Sequence, residues 1–253
     1  MNLKLFTSLL LASLFALTSC SKRIAPSDGL VGEYLFKGNA KDNSSYHNNG
    51  EVHGAVLVAG HNKKSEQSAY QFNGVDQFIT IPNKSQNNFT YGQNFSISLW
   101  VSVAPAQKDI GSTLNDVMRK WRGDTQGYPF AFVYYNHTAP DSMQNRFSFV
   151  RYDGSVCRNS PQLFSTPAKN GEGFTHIVLI KDHEWIKIYQ DGKLAMKTKD
   201  TVMSESECGS HNNNEITIGT RGNKVRFFNG VIDDVRMYNR ALTEEEIEML
   251  FKL

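Results

Sequence analysis

The 253-residue chain lacks the features that mark a nucleic-acid-binding, membrane-spanning or zinc-binding protein. Its 27 Lys and Arg residues nearly balance its 25 Asp and Glu residues, so it has none of the basic bias that nucleic-acid partners require. Its longest apolar run, residues 5–17, is too short to cross a bilayer as a helix. Its three cysteines lie far apart in sequence, which is not the pattern of a zinc site. These absences favour an ordinary globular domain without a nucleic-acid partner.

Compact catalytic motifs are also missing from the chain. We find no Glu-x-Asp-x-x-Glu run that would supply the paired carboxylates of a glycoside hydrolase. Neither a Gly-x-Ser-x-Gly nor a His-Glu-x-x-His motif is present. The seven histidines are scattered, and His176 falls in an apolar run that predicts a core residue. No catalytic residue is therefore assigned, although a lyase built on dispersed Tyr, His and Arg residues stays open.

The N-terminal segment is typical of export. Lys4 precedes the apolar run, which ends in Leu17-Thr18-Ser19-Cys20, a sequence that resembles a bacterial lipoprotein box. The resemblance implies a signal peptide over residues 1–19, lipid on the Cys20 thiol, and a tether over residues 20–29. The implied location is the bacterial cell envelope, on an undetermined side of the membrane. The alternative is an ordinary signal peptide with an incidental cysteine.

The remainder, residues 30–253, is predicted to be one β-rich domain. Apolar and polar residues alternate over residues 95–101, as in a strand with one buried face. Asp191 and Gly192 separate two apolar segments and predict a tight hairpin. Only Thr243 to Lys252 has a helical pattern, opened by a Thr243–Glu246 capping box, while residues 115–120 are compatible with a turn. Many strands and one terminal helix predict an all-β sandwich.

Five segments in order closely resemble concanavalin A-like, laminin-G-like jelly-roll domains of bacterial envelope proteins. They are an opening strand and Asn/Gly-rich loop, two following strand segments, a hairpin strand and a closing strand, at residues 30–50, 69–82, 95–101, 186–193 and 230–242. Each segment is weakly specific alone, but together they cover nearly the whole domain. The resemblance implies a jelly roll of two antiparallel sheets with a short C-terminal helix.

The resemblance also implies a structural calcium ion. It places the ion between the Asn/Gly-rich loop and the closing strand, with Asp42 and Asp233 as ligands and Asn39 and Asn49 as further oxygen donors. Family members often have glycine at the position of Ser45, so the loop backbone departs from the pattern here. The alternative is a loop of Asn and Asp turns capped by its own side chains.

The closing strand is expected to present Asp233 to the interior. By the period of two, Val231, Asp233, Val235 and Met237 share one face, and Asp234 lies on the opposite face. A carboxylate among apolar neighbours needs a cation, an arginine or N–H donors to offset its desolvation.

A glycan-binding surface is predicted on the middle strands, which in this family form the concave sheet. Sugars pack on aromatic rings and exchange hydrogen bonds with neighbouring polar groups. The alternative is that these side chains are core or ordinary surface residues. The candidates are Arg119, Trp121, Tyr134, Tyr135, Arg151 and Tyr152.

Two cysteines besides Cys20 are available for a disulfide. An exported chain favours a bridge between Cys157 and Cys208, with two unpaired thiols as the alternative.

Together, the features of the sequence predict a calcium-stabilised carbohydrate-binding or adhesion module that binds a glycan or cell-surface ligand. The alternatives are a polysaccharide-degrading glycoside hydrolase or lyase on the same fold, and a structural protein-interaction module.

Overall fold

A computed structural model describes residues 24–63, 66–105, 112–121, 126–208, 213–222 and 224–253. The predicted signal peptide, Cys20 and the first part of the tether lie outside the described residues. No helix in the described part of the chain is long and apolar enough to cross a membrane.

The described residues form an all-β sandwich, as the sequence predicted. The strands are β1 Leu30–Tyr34, β2 Glu51–His53, β3 Val56–Val58, β4 Ala69–Asn73, β5 Phe78–Ile81, β6 Phe95–Val103, β7 Leu114–Lys120, β8 Tyr128–Tyr135, β9 Arg146–Tyr152, β10 Gln162–Pro167, β11 Thr175–Asp182, β12 Trp185–Gln190, β13 Lys193–Lys199, β14 Ile216–Ile218 and β15 Asn229–Tyr238. The helices are a 3-10 turn at Ser85–Asn87, α1 Glu205–Cys208 and α2 Glu244–Phe251.

The strands form two antiparallel sheets. Sheet A has the order β13-β12-β11-β6-β15-β4-β3, with β1 also paired to β15. Sheet B has the order β10-β9-β8-β7-β14-β5-β2. In sheet A the closing strand β15 lies between β6 and β4, both of which are far from it in sequence.

The core lies between the two sheets. On β6 the predicted alternation is confirmed, since Phe95, Ile97 and Leu99 are fully buried in the interior cluster. Sheet B contributes aromatic rings from β8 and β9, and Phe95 meets Phe149 at 6.2 Å between ring centroids. The outer faces of both sheets are therefore left for other elements or for ligands.

The predicted hairpin at Asp191 and Gly192 is confirmed. The two residues connect β12 to β13 and have φ angles of 49° and 77°. This left-handed backbone matches the twist of the flanking strands and favours glycine.

The expectation of a turn at residues 115–120 is wrong, because this segment is strand β7. A bulge between Asp116 and Met118 interrupts its pairing with β8. The bulge breaks the regular alternation, and the buried side chains of Asn115 and Asp116 are polar, so the sequence has no clear strand pattern there.

The predicted assignment of the β15 side chains to two faces is also wrong, because β15 too contains a bulge. Its pairing with β6 is irregular between Asp233 and Arg236, and Asp234 has a φ of 49°. Ile232 and Val235 both belong to the core cluster, although the simple alternation assigns them to opposite faces. Asp233 lies on the outer face of sheet A, where it contacts His61.

Helix α2 covers part of the outer face of sheet A. Thr243 and Glu246 form the predicted capping box at its start. Ile247 and Leu250 are buried against Val178, Ile180 and the neighbouring apolar side chains.

The predicted disulfide is present. Cys157 and Cys208 are bridged, with 5.5 Å between their Cα atoms. The bridge joins the loop after β9 to the short helix α1.

Candidate ligand-binding site

Arg119 lies at the centre of the outer face of sheet B. It is paired in register with Ala131 on β8 and Thr217 on β14. Its neighbour Met118 belongs to the core. Because successive side chains of a strand alternate, Arg119 points away from the core.

Arg119 joins an acid and two tyrosines on this face. Its Nη1 donates to Oδ1 of Asp116 at 2.8 Å, and its guanidinium lies 4.1 Å from the ring centroid of Tyr128. The rings of Tyr128 and Tyr152 are 5.6 Å apart. These four residues, with Trp121 and Arg221 described below, are called the Arg119 cluster.

The ion pair at the base of the cluster is incompletely satisfied. The side chains of Arg119 and Asp116 are only 5% and 0% exposed. Within the described residues, Nε of Arg119 and Oδ2 of Asp116 have no hydrogen-bond partner. Buried polar atoms are normally paired, so these two atoms indicate a site for water or for ligand groups.

The charges of the cluster act on Tyr128. Burial raises the pKa of the Tyr128 hydroxyl, while the guanidinium groups of Arg119 and Arg221 oppose that rise. The phenol is therefore protonated at neutral pH and serves as a hydrogen-bond donor and acceptor.

Trp121 and Arg221 extend the cluster toward one edge. The guanidinium of Arg221 lies 4.2 Å from the centroid of the Trp121 ring. Trp121 is half-buried and lines a small depression of about 340 Å³ with Asn213 and Gly222. A Cβ atom at Gly222 would lie 2.9 Å from the indole, so the close approach requires glycine.

Tyr135 lies toward the opposite end of the same face. Its hydroxyl accepts a hydrogen bond from Nε2 of Gln162 at 2.8 Å, and its ring is 5.5 Å from that of Phe164. Four of the six predicted glycan-binding residues, Arg119, Trp121, Tyr135 and Tyr152, are thus on or beside this outer face.

The other two candidates, Tyr134 and Arg151, point into the sandwich, so their assignment to a surface is corrected. The Tyr134 ring is fully buried, and its hydroxyl bonds to Asn145 and Asn170. Arg151 is also fully buried. Its guanidinium donates hydrogen bonds to the backbone oxygens of Pro129 and Tyr91, each at 2.9 Å, and to the carboxylate of Asp200. Alternation explains the result, since Tyr134 shares a face with Phe132, and Arg151 with Phe149.

Sequence reasoning did not identify Asp116, Tyr128 and Arg221. Asp116 and Arg119 share a face only because of the bulge in β7. Arg221 reaches the cluster from the segment after β14, and its contact with Trp121 is long-range. The one available signal was the aromatic Tyr128 at the start of the β8 pattern.

Asp42, the first predicted calcium ligand, has all of its acceptor positions filled. Its Oδ1 accepts from the amides of Glu33 and Ser44 at 2.8 and 2.9 Å. Its Oδ2 accepts from the Ser44 hydroxyl and the Asn48 amide, both at 2.9 Å. This donor set suits a closed turn of the Asx type and leaves no open carboxylate position for a metal.

Asn39 and Asn49 take part in the same kind of local bonding. Oδ1 of Asn39 accepts from the amide of Lys41 at 2.8 Å. Oδ1 of Asn49 accepts from the amide of Asp42 at 3.0 Å. The loop thus uses its side-chain oxygens to satisfy its own backbone.

Asp233 has a different environment. Its Oδ2 accepts from the His61 amide at 3.0 Å and lies 2.7 Å from Nδ1 of the His61 ring. Its Oδ1 has no hydrogen-bond partner among the described residues. Asp233 lines a cavity of about 850 Å³ together with Glu33, Asp234 and Arg236, and Asp42 does not line it. The structure therefore leaves Asp233 one acceptor oxygen without a donor among the described residues, whereas both carboxylate oxygens of Asp42 accept hydrogen bonds.

Comparison with known proteins defines the class. A family model described as the concanavalin A-like lectin/glucanases superfamily matches residues 73–248. The chain therefore belongs to this superfamily, and the predicted jelly-roll fold is confirmed. No curated protein sequence matches the chain.

Solved structures similar to this chain include binding domains of a mosquitocidal protein and of botulinum neurotoxins. The binding domain of Paraclostridial Mosquitocidal Protein 1 is 19% identical, with a TM-score of 0.69, over 88% of this chain and 52% of that chain. The botulinum neurotoxin serotype D binding domain is 16% identical, with a TM-score of 0.66, over 89% and 52%. The botulinum neurotoxin DC binding domain, solved in complex with SialylT, is 16% identical, with a TM-score of 0.65, over 89% and 52%. This chain spans about half the length of each.

Proposed function

We propose that the chain is a carbohydrate-binding module whose ligand site is the outer face of sheet B. The observation that carries the proposal is the Arg119 cluster. It combines two adjacent tyrosine rings with a guanidinium that is held in place and still has an open donor.

The cluster has the groups that sugars require. Aromatic rings pack against the C–H faces of a sugar, and fixed polar groups select the orientation of its hydroxyls. Nε of Arg119 offers a donor and Oδ2 of Asp116 an acceptor, so one ligand hydroxyl that reaches the base of the cluster can pair with both. The ion pair and the β-sheet hold these groups rigid, which lowers the entropic cost of binding.

The comparisons support a binding role. The family model is that of lectins and glucanases, and the similar structures are titled as binding or receptor-binding domains. Because this chain spans half of those structures at low identity, their ligands are not transferred to it. They do favour one alternative, an adhesion module that binds a cell-surface receptor.

A glycan array on the purified chain tests the proposal. We expect binding to one or a few related glycans, with loss of about tenfold or more in affinity for Tyr152→Ala, since burial of an aromatic side chain contributes about 1.5–3 kcal/mol. Tyr46→Ala is the matched control, because Tyr46 is an exposed tyrosine in the loop between β1 and β2.

Three results would replace the proposal. Binding that survives Tyr152→Ala and Arg119→Lys would place the site elsewhere. Binding only to a protein would favour the adhesion module. Release of shortened oligosaccharides by the pure chain would make it a polysaccharide-degrading enzyme of the same superfamily.

A calcium ion stays a hypothesis, now centred on Asp233. Its open Oδ1, beside Asp234 and Glu33 in one cavity, supports cation binding there, whereas the four donors to Asp42 argue against a shared ion. If calcium binds the folded chain, EDTA should lower the melting temperature and calcium should restore it. Asp233→Ala should abolish that response and Asp42→Asn should keep it. A melting temperature indifferent to EDTA, with no metal by elemental analysis, would refute the hypothesis.

We also propose that the module is anchored to the bacterial cell envelope through lipid on Cys20. The lipoprotein box in the sequence carries this proposal. Mass spectrometry of the native protein should find an acylated Cys20 as the first mature residue. An unmodified chain that begins at another residue would refute it.

A further inference from the structure

A second groove lies on the other side of the molecule, beside Trp100. It has a volume of about 650 Å³ and shares no lining residue with the Asp233 cavity. Its lining includes Trp100, Phe174, Phe251, Gln190, Lys169 and Lys193, and it is called the Trp100 groove. None of these residues belongs to the Arg119 cluster.

The floor of the groove is built from aromatic rings that pack on one another. The His61 ring stacks on Trp100 at 4.3 Å with an interplanar angle of 6°, and Phe251 lies 5.7 Å from Trp100. Phe174 meets the His61 ring edge-on at 6.3 Å. Asp233 fixes His61 through two contacts, to its amide and to its ring. The floor therefore presents a preformed apolar surface to a ligand.

Gln190 adds an open acceptor. It is the last residue of β12, and its backbone pairs with Ile177 and Lys193. Its side-chain Oε1 is buried, yet no described residue donates a hydrogen bond to it. A ligand that satisfies this atom must carry a donor such as a hydroxyl group.

The rim of the groove is cationic. Lys169 and Lys193 are exposed, and within the described residues neither ammonium group is paired with a carboxylate. Asp191 also lines the groove, and its carboxylate accepts a hydrogen bond from the His176 amide at 2.9 Å, which fixes it in the hairpin turn. An anionic group at the rim would be paired with two lysines.

From these three features we infer that the Trp100 groove binds an anionic sugar residue, one that carries a carboxylate or a sulfate. The C–H face of the sugar ring packs on the aromatic floor, a hydroxyl donates to Oε1 of Gln190, and the anion contacts Lys169 and Lys193. A fatty acid would leave Gln190 without a donor, and a neutral sugar would leave the lysines without a partner. The groove volume suits a ligand of this size.

The test uses fluorine NMR of the full chain labelled with 5-fluorotryptophan. The chain has three tryptophans, so Trp121→Phe and Trp185→Phe identify the Trp100 signal by elimination. Titration with trigalacturonate should shift the Trp100 signal in a saturable way. Its methyl ester, with the same rings and no charge, should bind about tenfold more weakly or worse, the change that losing one charge-assisted contact gives.

Two charge-reversal variants provide a matched pair. Lys169→Glu with Lys193→Glu should weaken binding by about tenfold or more. Lys197→Glu with Lys199→Glu makes the same charge change near Trp185, away from the groove, and should alter the affinity less than about threefold. Tyr152→Ala, which removes a ring from the Arg119 cluster, should leave the Trp100 shift unchanged.

The outcomes separate the two sites. A sulfated trisaccharide that shifts Trp100 in place of trigalacturonate would support the inference and assign the anion as sulfate. Equal affinity for the acid and its methyl ester, or an unchanged affinity in Lys169→Glu with Lys193→Glu, would overturn it. A shift of Trp121 alone would place the anionic sugar on sheet B, which overturns the second site and leaves the proposed function standing.

Discussion

Lys120 is a lysine in a buried position, and burial disfavours its charged form. The side chain is fully enclosed at the end of β7, and its Nζ donates to Oδ1 of Asn83 at 2.5 Å and to the carbonyl of Asn214 at 2.6 Å. Desolvation by burial lowers the pKa of Lys120 to about 7. Lys120 therefore links β7 to two loops through these hydrogen bonds, although its ammonium charge is poorly solvated.

Lys120 predicts a specific pH dependence of stability. Above pH 7 the folded state has released this proton while the unfolded state, with an ordinary lysine pKa, still holds it. Because the unfolded state then binds more protons, the Lys120 contribution to the free energy of unfolding rises from pH 7 toward pH 10. Denaturant unfolding at pH 7 and 9.5 should show a rise of up to about 1.4 kcal/mol per pH unit in wild type relative to Lys120→Met.

The control is Lys197→Met, at an exposed position of β13. It should keep the wild-type difference between the two pH values. An identical pH dependence in wild type and Lys120→Met would show that the lysine is solvated in the folded state.

Replacement of Asp42 by alanine is expected to cause a large loss of stability. Asp42→Ala leaves four donors without their carboxylate, and buried donors without partners cost about 1–3 kcal/mol each before relaxation. We expect the free energy of unfolding to fall by about 3 kcal/mol in urea, with or without EDTA. Asn39→Ala, at an exposed position of the same loop, should cost less than about 0.5 kcal/mol. A change below 1 kcal/mol for Asp42→Ala would contradict the role assigned to it.

The sequence predicted the environment of a residue where the composition of the surrounding segment alone determines it. The Asn/Asp/Gly loop around Asp42 was recognised as a unit with many oxygen donors, and its alternative as a self-capped turn describes the contacts of Asp42. Tyr134 and Arg151 were misplaced because a strand of aromatics on both faces gives no signal for which face is inside. Arg151 is buried because three oxygen acceptors surround it, and those lie far away in sequence.

At the scale of the elements, regular strands were predictable and bulged strands were not. β6 and β12 alternate cleanly, and the Asp191–Gly192 turn fixes its hairpin. In β7 and β15 a bulge shifts the pattern by one residue, so that polar side chains on either side of it share a face. Both bulges occur at the candidate sites, next to Asp116 and Asp233, where the regular pattern is least informative.

The disulfide predicts a loss of stability at this scale. The bridge closes a loop with a sequence separation of 51 residues. In the chain-entropy model, replacing Cys157 and Cys208 together by serine should lower the free energy of unfolding by up to roughly 4 kcal/mol. Unfolding in guanidinium chloride measures the change, and wild type under reducing conditions should match the variant. A double variant as stable as oxidised wild type would show that the bridge does not constrain the unfolded chain.

At the scale of the whole molecule, the order of the five segments that resemble the family was enough to predict the sandwich. In the structure, β1 pairs with β15 and brings the two ends of the domain together. The pairing of strands from distant parts of the chain then assembles the Arg119 cluster from β7, β8, β9 and the segment after β14. Such a cluster is a property of the register between strands, which a single sequence does not contain.

The central claim is that glycans bind the outer face of sheet B, and its most direct test is to locate the bound ligand. Amide chemical shifts of the isotope-labelled chain should be recorded with and without the glycan that binds most tightly on the array. The account predicts shifts centred on Arg119, Tyr128 and Tyr152, with the core-facing residue Phe149 little affected. Shifts confined to the Asp233 cavity or to any surface outside the Arg119 cluster would contradict it.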